Sequence, residues 1–372
     1  MLRLPRNAHL WLPGLLSQSL SRSGRTRKPR HVLFAVADHY EPYNGDVSDS
    51  TADARVSAWL DRYPTIARDL RDADGRPPQH TFFYPIEQYQ ERHADDLARL
   101  VARGFGEVEV HLHHDNDTSE NLRRTLTAFK NRLSSRHGLL TRGGDGTAAY
   151  AFIHGNWALD NSRPDGRYCG VNDELTVLRE TGCYADFTMP AAPDVSQTRT
   201  VNAIYYAVDD PLRPKSHDRG QPAAVKRQPP SGGLLMVQGP LSLTWSRRTL
   251  GVIPGLEVGA IDGSAGYKPT FDRFVRWLDV GVTVAGRPEW VFVKIHTHGA
   301  PERNAAVLLG PEMQAFHNAI ISGAAELDYK LHYVTAREVA NIVLAAEAGE
   351  TGNPADYRDY RWPKPDCRVT AI

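Results

Sequence analysis

The chain alternates between two patterns of apolar and polar positions, one with the period of a β-strand and one with the period of an α-helix. Between the strand-like runs, apolar residues recur at helical spacing, as from Leu122 to Leu133, where Gly138 is expected to end the helix. Strands that alternate with helices predict parallel βα units. The predicted strands are 31–37, 81–85, 107–112, 150–154, 183–187, 233–238, 290–296 and 331–334.

Seven or eight such strands favour an α/β fold built as a single, distorted (β/α)7–8 barrel rather than an open sheet. We expect the barrel to span residues 31–348, with a long insertion at about 189–266 that is rich in proline and glycine. A basic arm, 1–30, precedes the barrel, and a tail, 349–372, follows it. The insertion could form a lid or sugar-binding wall over the barrel mouth, or an oligomerisation surface.

Side chains that can bind metals or transfer protons follow the predicted strands. Active sites of parallel barrels lie at the carboxyl ends of the strands, so this placement indicates one catalytic or metal site at the barrel mouth. The side chains are Asp38 and His39 after the first strand, His111 to Asp117 after the third, His154 after the fourth, Asp186 near the end of the fifth, and His296 with His298 after 290–296.

The segment 107–117, EVEVHLHHDND, ends a predicted strand in three histidines and two aspartates. His111 and Asp115 are four residues apart, and two imidazoles with one carboxylate suit zinc while leaving positions for water and substrate. The spacing alone does not assign the individual metal ligands within this segment. Alternation divides the strand into one face with Val108, Val110 and Leu112 and another with Glu109, His111 and His113.

Charge and cysteine content narrow the functional classes. The formal net charge of zero argues against a nucleic-acid partner, and no apolar run approaches the roughly 18 residues of a membrane span. Cys169, Cys183 and Cys367 are scattered and form no CxxC pair, so we expect structural thiols in a reducing compartment. These features predict a cytoplasmic protein.

Residues 1–30 differ from this average because they contain seven basic residues and no acidic one. Their apolar patch is broken by Pro13 and lacks a small-residue cleavage site, so it makes a poor signal peptide. We expect a disordered or loosely packed arm, or one that contacts the anionic inner face of a membrane.

The order of these motifs resembles that of the polysaccharide deacetylase (NodB-like) family, within the glycoside hydrolase/deacetylase barrel superfamily. The resemblance covers roughly residues 31–346 and rests on VADH, EVEVHLHHD, LTVLRETGCYADFTMP and VFVKIH, in that order. It implies metal ligation by His39, His111 and Asp115, with Asp38 as general base and His296 as general acid. The implied cofactor is a divalent metal, Zn²⁺ by expectation.

The implied reaction is metal-assisted hydrolysis of N- or O-acyl groups on sugars or polysaccharide precursors. Two departures from the family are that Asp115 stands where its second histidine is expected and that HGNW replaces its arginine motif. Asp38, Glu41 and His113 stay alternative ligands. An aromatic ring among amides and carboxylates suits a sugar, and the residues expected at the substrate are His154, Asn156, Trp157, Asp160, Asp186 and His298.

Three alternatives keep a barrel but change its function. An amidohydrolase-like metal barrel is disfavoured because its HxH pair normally follows the first strand. A non-catalytic carbohydrate-binding barrel would explain the lost second histidine. A glycoside hydrolase would need no metal and would use paired carboxylates from Asp38, Asp115, Asp160 and Asp186.

Overall fold

The apolar runs of the sequence form the strands of a mostly parallel sheet with helices on both faces. The computed structural model describes residues 4–21, 30–249 and 252–367. The helices are α1 (Ala8–Ser21), α2 (Asp49–Ala67), α3 (Glu91–Ala102), α4 (Ser119–His137), α5 (Glu174–Glu180), α6 (Phe271–Val280), α7 (Glu302–Leu308), α8 (Pro311–Ser322), α9 (Ala324–Leu327) and α10 (Ala336–Ala348). The strands are β1 (Arg30–His39), β2 (His80–Pro85), β3 (Gly106–Leu112), β4 (Thr141–Arg142), β5 (Ala148–His154), β6 (Cys183–Asp186), β7 (Ile204–Val208), β8 (Gln221–Pro222), β9 (Gly233–Val237), β10 (Ser242–Thr249), β11 (Ile253–Glu257), β12 (Ala260–Ile261), β13 (Trp290–Thr297) and β14 (Tyr329–Tyr333).

The main sheet runs in the order β12-β13-β1-β2-β3-β5-β6-β9-β7-β8, and its pairs are parallel from β12 to β9. β14 pairs with the first half of β1, while β2 pairs with its second half. The predicted α/β architecture with a parallel sheet is therefore confirmed. Closure of a barrel stays a prediction, because within the described ranges no pairing joins β8 to β12.

Alternate residues of each strand enter two separate apolar clusters. In β1, Val32 and Phe34 pack with the helices on the outer face of the sheet, whereas Leu33 and Ala35 pack on the opposite face, called the inner face below. The same alternation in β3 places the apolar residue Val110 on the outer face. The face that a residue occupies at the end of a strand follows from this count.

Helix α10 covers the inner face and is attached to it by a buried ion pair. Val339 and Val343 pack in the apolar cluster on the inner face with residues of β1 and β5. Arg337 donates from Nη2 to Glu107 Oε1 at 2.7 Å and from Nε to Glu107 Oε2 at 3.0 Å, and both side chains are buried. Arg337 also donates to the carbonyl oxygen of Trp362, so the same side chain anchors the C-terminal tail.

The periodicity gave most elements correctly. All eight predicted strands are present, and Gly138 ends α4 in a left-handed conformation with a φ of 66°. Thr335 and Glu338 form a capping box at the start of α10. The pattern missed the helices α1, α2, α7 and α9, the short strand β4, and the strands of the insertion apart from β9.

The N-terminal arm is more ordered than predicted. Helix α1 packs on the insertion through Trp11, which is buried beside Leu241 and Leu256, so the expectation of a disordered arm is wrong for residues 4–21. Its tight packing is visible at Gly14, where a Cβ would clash with the carbonyl oxygen of Arg199. The basic residues Arg3, Arg22, Arg25, Arg27 and Lys28 lie outside the described residues, so membrane contact by the arm stays a prediction. In the described part of the chain, no helix is both long and apolar enough to cross a bilayer.

Replacing Arg337 tests how far the fold depends on its buried ion pair. Arg337→Met leaves the Glu107 carboxylate, which is 1% exposed, without its cation, so we expect the free energy of unfolding to fall by about 3–5 kcal/mol. Urea denaturation measures this change. Arg99→Met, which breaks an exposed pair with Asp96, is the matched control and should cost less than about 1 kcal/mol. Equal losses in the two variants would contradict the role of the buried pair.

Candidate functional site

The carboxyl ends of the parallel strands β13, β1 and β3, with β2 between the last two, bring histidines together on the inner face. His39 ends β1, His111 lies near the end of β3, and His296 lies near the end of β13. The ring centroids of His39 and His111 are 5.0 Å apart, and those of His39 and His296 are 6.4 Å apart. The structure therefore brings together three of the predicted site histidines.

The carboxylate of Glu41 lies among the histidines at this edge of the sheet. Its Oε1 atom lies 3.2 Å from His111 Nε2, 3.6 Å from His113 Nε2 and 3.9 Å from His298 Nε2. Ligand-capable atoms of His39, Glu41 and His111 all lie within 4.8 Å of one another. These three residues are called the inner cluster below.

The hydrogen bond on the far side of the His111 ring fixes its tautomer. His111 Nδ1 lies 2.8 Å from the carbonyl oxygen of Ile153, which can only accept, so Nδ1 carries a proton. In a neutral ring, Nε2 then presents a lone pair to the carboxylate of Glu41. A proton or a metal ion between the two atoms removes this repulsion. A ring held by a carbonyl at one nitrogen and free to coordinate at the other is typical of metal-binding histidines.

Electrostatics keep two members of the inner cluster, His39 and Glu41, in forms that can bind a cation. Burial, with His298 and His111 nearby, lowers the pKa of His39 well below its usual value, so its ring is neutral near pH 7. Burial of Glu41 opposes its ionisation, but the His111 hydrogen bond and charge outweigh it and lower the pKa of Glu41 to about 2. Neutral imidazole and ionised carboxylate are the protonation states that coordinate metals.

A cleft of about 570 Å³ lies beside the inner cluster, with His296 and His298 in its wall. Its other side is formed by the insertion, including residues 190–195 and 258–262. The sequence indicates that the insertion could form a wall over the barrel mouth, and these residues form one wall of the cleft. Its remaining polar and aromatic lining includes Asn7, Trp157, Arg163, Asp194, Asp262 and Tyr267.

No family model and no curated protein matches the chain. Membership of the polysaccharide deacetylase family therefore stays a prediction. Among solved structures, the chain is similar to the 4-alpha-glucanotransferase from Thermococcus litoralis, with a TM-score of 0.41 and 11% identity. The match covers 82% of this chain and 39% of that chain, so the chain spans well under two thirds of the transferase's length.

Asp38, predicted as the general base, lies on the opposite face of the sheet from His39. Its Oδ1 accepts a hydrogen bond from the backbone N–H of Gly299 at 2.6 Å, and its Oδ2 accepts one from His80 Nε2 at 2.8 Å. Asp38 is fully buried there, beside the helices of the outer face. The reason is strand alternation, since neighbouring residues of β1 point to opposite faces. The structure thus does not bring Asp38 to the inner cluster.

Asp115, predicted as the third metal ligand, is exposed. Its Oδ1 accepts a hydrogen bond from the backbone N–H of Tyr168 at 2.7 Å. β3 ends at Leu112, so the alternation that would have kept Asp115 on the inner face stops before it. Glu41, one of the alternatives from the sequence, occupies the expected carboxylate position.

The predicted substrate residues divide into two groups. Trp157 and His298 line the cleft, while Asn156 is exposed elsewhere. Asp186 is buried, and both of its oxygens accept hydrogen bonds from Thr188. The structure therefore does not bring Asp186 to the cleft wall.

His154 and Asp160 belong to a second buried group on the outer face. His154 Nε2 lies 2.8 Å from His114 Nε2, and the backbone N–H of Asp160 donates to Glu174 Oε2 at 2.6 Å. Together, His114, His154, Cys169 and Glu174 bring ligand-capable atoms within 4.8 Å of one another. Sequence reasoning missed this group, which is called the outer cluster below, because Cys169 and Glu174 lie far along the chain from His114.

Two carboxylate variants test which acid completes the inner cluster. Glu41→Gln removes the anion at its centre, so we expect the protein to lose about one equivalent of divalent metal. Asp115→Asn, the matched control, should keep the wild-type metal content, because Asp115 is held by a backbone amide away from the cluster. Elemental analysis after metal loading measures both. Loss of metal in Asp115→Asn alone would restore the ligand set predicted from the sequence.

Asp38→Asn tests whether Asp38 supports the fold and not the metal. The charge-assisted hydrogen bond with His80 is weakened, so we expect the free energy of unfolding to fall by about 1–3 kcal/mol. Metal content should stay at the wild-type value. Urea denaturation and elemental analysis of the same preparation separate these effects, and loss of metal from a folded variant would show that Asp38 does act at the site.

Proposed function

We propose that the chain is a metal-dependent hydrolase whose divalent ion is bound by His39, Glu41 and His111. The observation that carries this proposal is the convergence of two imidazoles and one carboxylate at the carboxyl ends of parallel strands. His298 contacts His39, with ring centroids 4.6 Å apart, and also lines the cleft. A substrate in the cleft would therefore lie next to the metal ligands.

The donor set fits zinc. Catalytic zinc sites commonly use three protein ligands drawn from histidine and carboxylate and keep a further position for water or substrate. The carbonyl oxygen of Ile153 orients His111, and Asn44 Nδ2 donates to the second oxygen of Glu41 at 2.5 Å. Such contacts hold ligands in the orientation that coordination needs.

The reaction we propose is hydrolysis of an acyl group on a sugar or polysaccharide precursor. His39, Glu41 and His111 would hold the divalent ion, which would supply Lewis acidity to polarise a carbonyl oxygen and lower the pKa of water. His296 lies in the cleft wall near His39, where its ring can transfer a proton to or from the substrate. His113 is held by Glu87, whose Oε1 lies 2.6 Å from His113 Nδ1, so its Nε2 faces Glu41.

The lining of the cleft supports a carbohydrate substrate. Trp157 and Tyr267 offer aromatic surface of the kind on which sugar rings stack, and Arg163, Asp194 and Asp262 offer polar groups for hydroxyls. The volume of about 570 Å³ lies within the range typical of small-molecule sites. The choice of an acylated sugar also depends on the motif resemblance to polysaccharide deacetylases.

Replacing His296 tests its role in proton transfer. We expect His296→Gln to keep the metal but to release acetate from N-acetylhexosamine oligomers about 10²–10⁴-fold more slowly than wild type. Enzymatic determination of free acetate, with elemental analysis of each preparation, measures both quantities. His137→Gln is the control, because His137 contacts Asp95 and Tyr89 away from the cleft and should leave the rate unchanged.

Chelation separates deacylation from glycosidic cleavage. Stripping the metal should abolish acetate release, and Zn²⁺ should restore it. Release of new reducing ends without acetate, in the presence of a chelator, would contradict the proposal and favour a glycoside hydrolase that uses carboxylates.

A further inference from the structure

The outer cluster lies at the same edge of the sheet as the inner cluster but on the other face. His114 Nε2 lies 2.8 Å from His154 Nε2 and 3.3 Å from Glu174 Oε1. His154 Nε2 lies 3.5 Å from Glu174 Oε1, and Cys169 Sγ lies 3.3 Å from Glu174 Oε2. His154, Cys169 and Glu174 are 0% exposed, and the side chain of His114 is 7% exposed. Four residues with metal-binding side chains are thus enclosed at one point.

Hydrogen bonds at the Nδ1 atoms of His114 and His154 determine the protonation of the Nε2 atoms that face each other. His114 Nδ1 lies 3.0 Å from Asp117 Oδ2, and His154 Nδ1 lies 2.5 Å from the carbonyl oxygen of Gly155. Both partners are acceptors, so both Nδ1 atoms carry protons. In neutral rings the two Nε2 lone pairs would then face each other and the carboxylate of Glu174. Only a positive charge among the three atoms makes this arrangement favourable.

Two backbone donors face the Cys169 sulfur, but burial and the neighbouring Glu174 carboxylate raise the pKa of its thiol above the usual value, so it becomes a thiolate only beside a bound cation. The Sγ atom accepts hydrogen bonds from the backbone N–H groups of Asn161 at 3.3 Å and Val171 at 3.4 Å. Two N–H donors stabilise a thiolate, the form in which cysteine binds metals. Sulfur and imidazole together suit zinc better than magnesium or calcium.

We propose that the outer cluster is a second metal site, in which His114, His154, Cys169 and Glu174 bind one zinc-type divalent ion. Tetrahedral zinc with Zn–N bonds of about 2.0–2.1 Å places its ligand atoms about 3.3 Å apart. The two nitrogen–oxygen separations, 3.3 and 3.5 Å, are close to this value, whereas the two Nε2 atoms, 2.8 Å apart, would move apart by about 0.5 Å around the ion. Four protein donors in a buried position define a structural site, which leaves no position for substrate. The ion would tie the segment after β3 to the end of β5, the loop at Cys169 and the start of α5.

The rival arrangement is a proton shared by His114 and His154 beside Glu174, with Cys169 as a thiol. The two arrangements differ in the state of Cys169, which is a metal-bound thiolate in one and a thiol in the other. A cobalt ion bound by a thiolate gives a sulfur-to-cobalt charge-transfer band in the near ultraviolet, whereas a thiol gives none. The inner cluster contains no cysteine, so the band reports the outer cluster alone and does not depend on the proposed hydrolase function.

The test is cobalt titration of the metal-free full chain, followed by absorption spectroscopy. We expect the band in wild type and in His111→Ala, which alters only the inner cluster. Cys169→Ala should lose the band and about one equivalent of bound metal. Cys367→Ala is the control, because Cys367 contacts the carbonyl oxygen of Gly138 in another part of the molecule and should keep the band.

A wild-type protein that binds cobalt without the band, or binds none, would overturn the proposal, as would a band that persists in Cys169→Ala. Glu174→Gln covers the possibility that Cys169→Ala does not fold. This substitution preserves the shape of the side chain and removes one anionic donor. The cobalt affinity of the outer cluster, measured through the charge-transfer band, should therefore fall at least about tenfold, a change of 1.4 kcal/mol in binding free energy. Unchanged affinity in a folded Glu174→Gln protein would also overturn the site.

Discussion

Strand alternation is the constraint on which both clusters depend. Successive residues of a strand point to opposite faces, and the parallel strands β1, β3, β5 and β13 all end at one edge of the sheet. In HLHH, this rule places His111 on the inner face and Leu112 on the outer face, and the two residues after the strand end, His113 and His114, continue the alternation before the chain bends. One short stretch therefore supplies ligands to two separate groups of side chains.

The inner face carries the site at this edge and packing below it. Below it, α10 fills the face, and the buried pair of Glu107 and Arg337 fixes the helix against β3. Lys294, on the inner face of β13, donates to the carbonyl oxygens of Phe187 at 2.5 Å and Met189 at 2.7 Å. This amine attaches the start of the insertion beside His296, which explains why the insertion forms a wall of the cleft.

The sequence predicted the strands and the site histidines, which depend on local periodicity. It missed the side-chain groups whose members come from distant parts of the chain. The strands and the meeting of His39, His111 and His296 follow from apolar periodicity and the parallel arrangement. Asp115 was assigned from the motif resemblance, which expects a second ligand four residues after His111, whereas the chain bends at Asn116, which has a φ of 49°. The partners of His114 could not be predicted, because they come from β5, from the loop at Cys169 and from α5, and no local pattern relates those segments.

The two clusters differ in the feature that separates catalytic from structural metal sites. The inner cluster adjoins a cleft through His298, whereas the outer cluster is enclosed by the segment after β3 and the start of α5. A shift of β3 by one residue would exchange the faces of His113 and His114 and would disrupt both clusters at once. The register of β3 against β5, with Leu112 opposite His154, is therefore a requirement of both sites and not of packing alone.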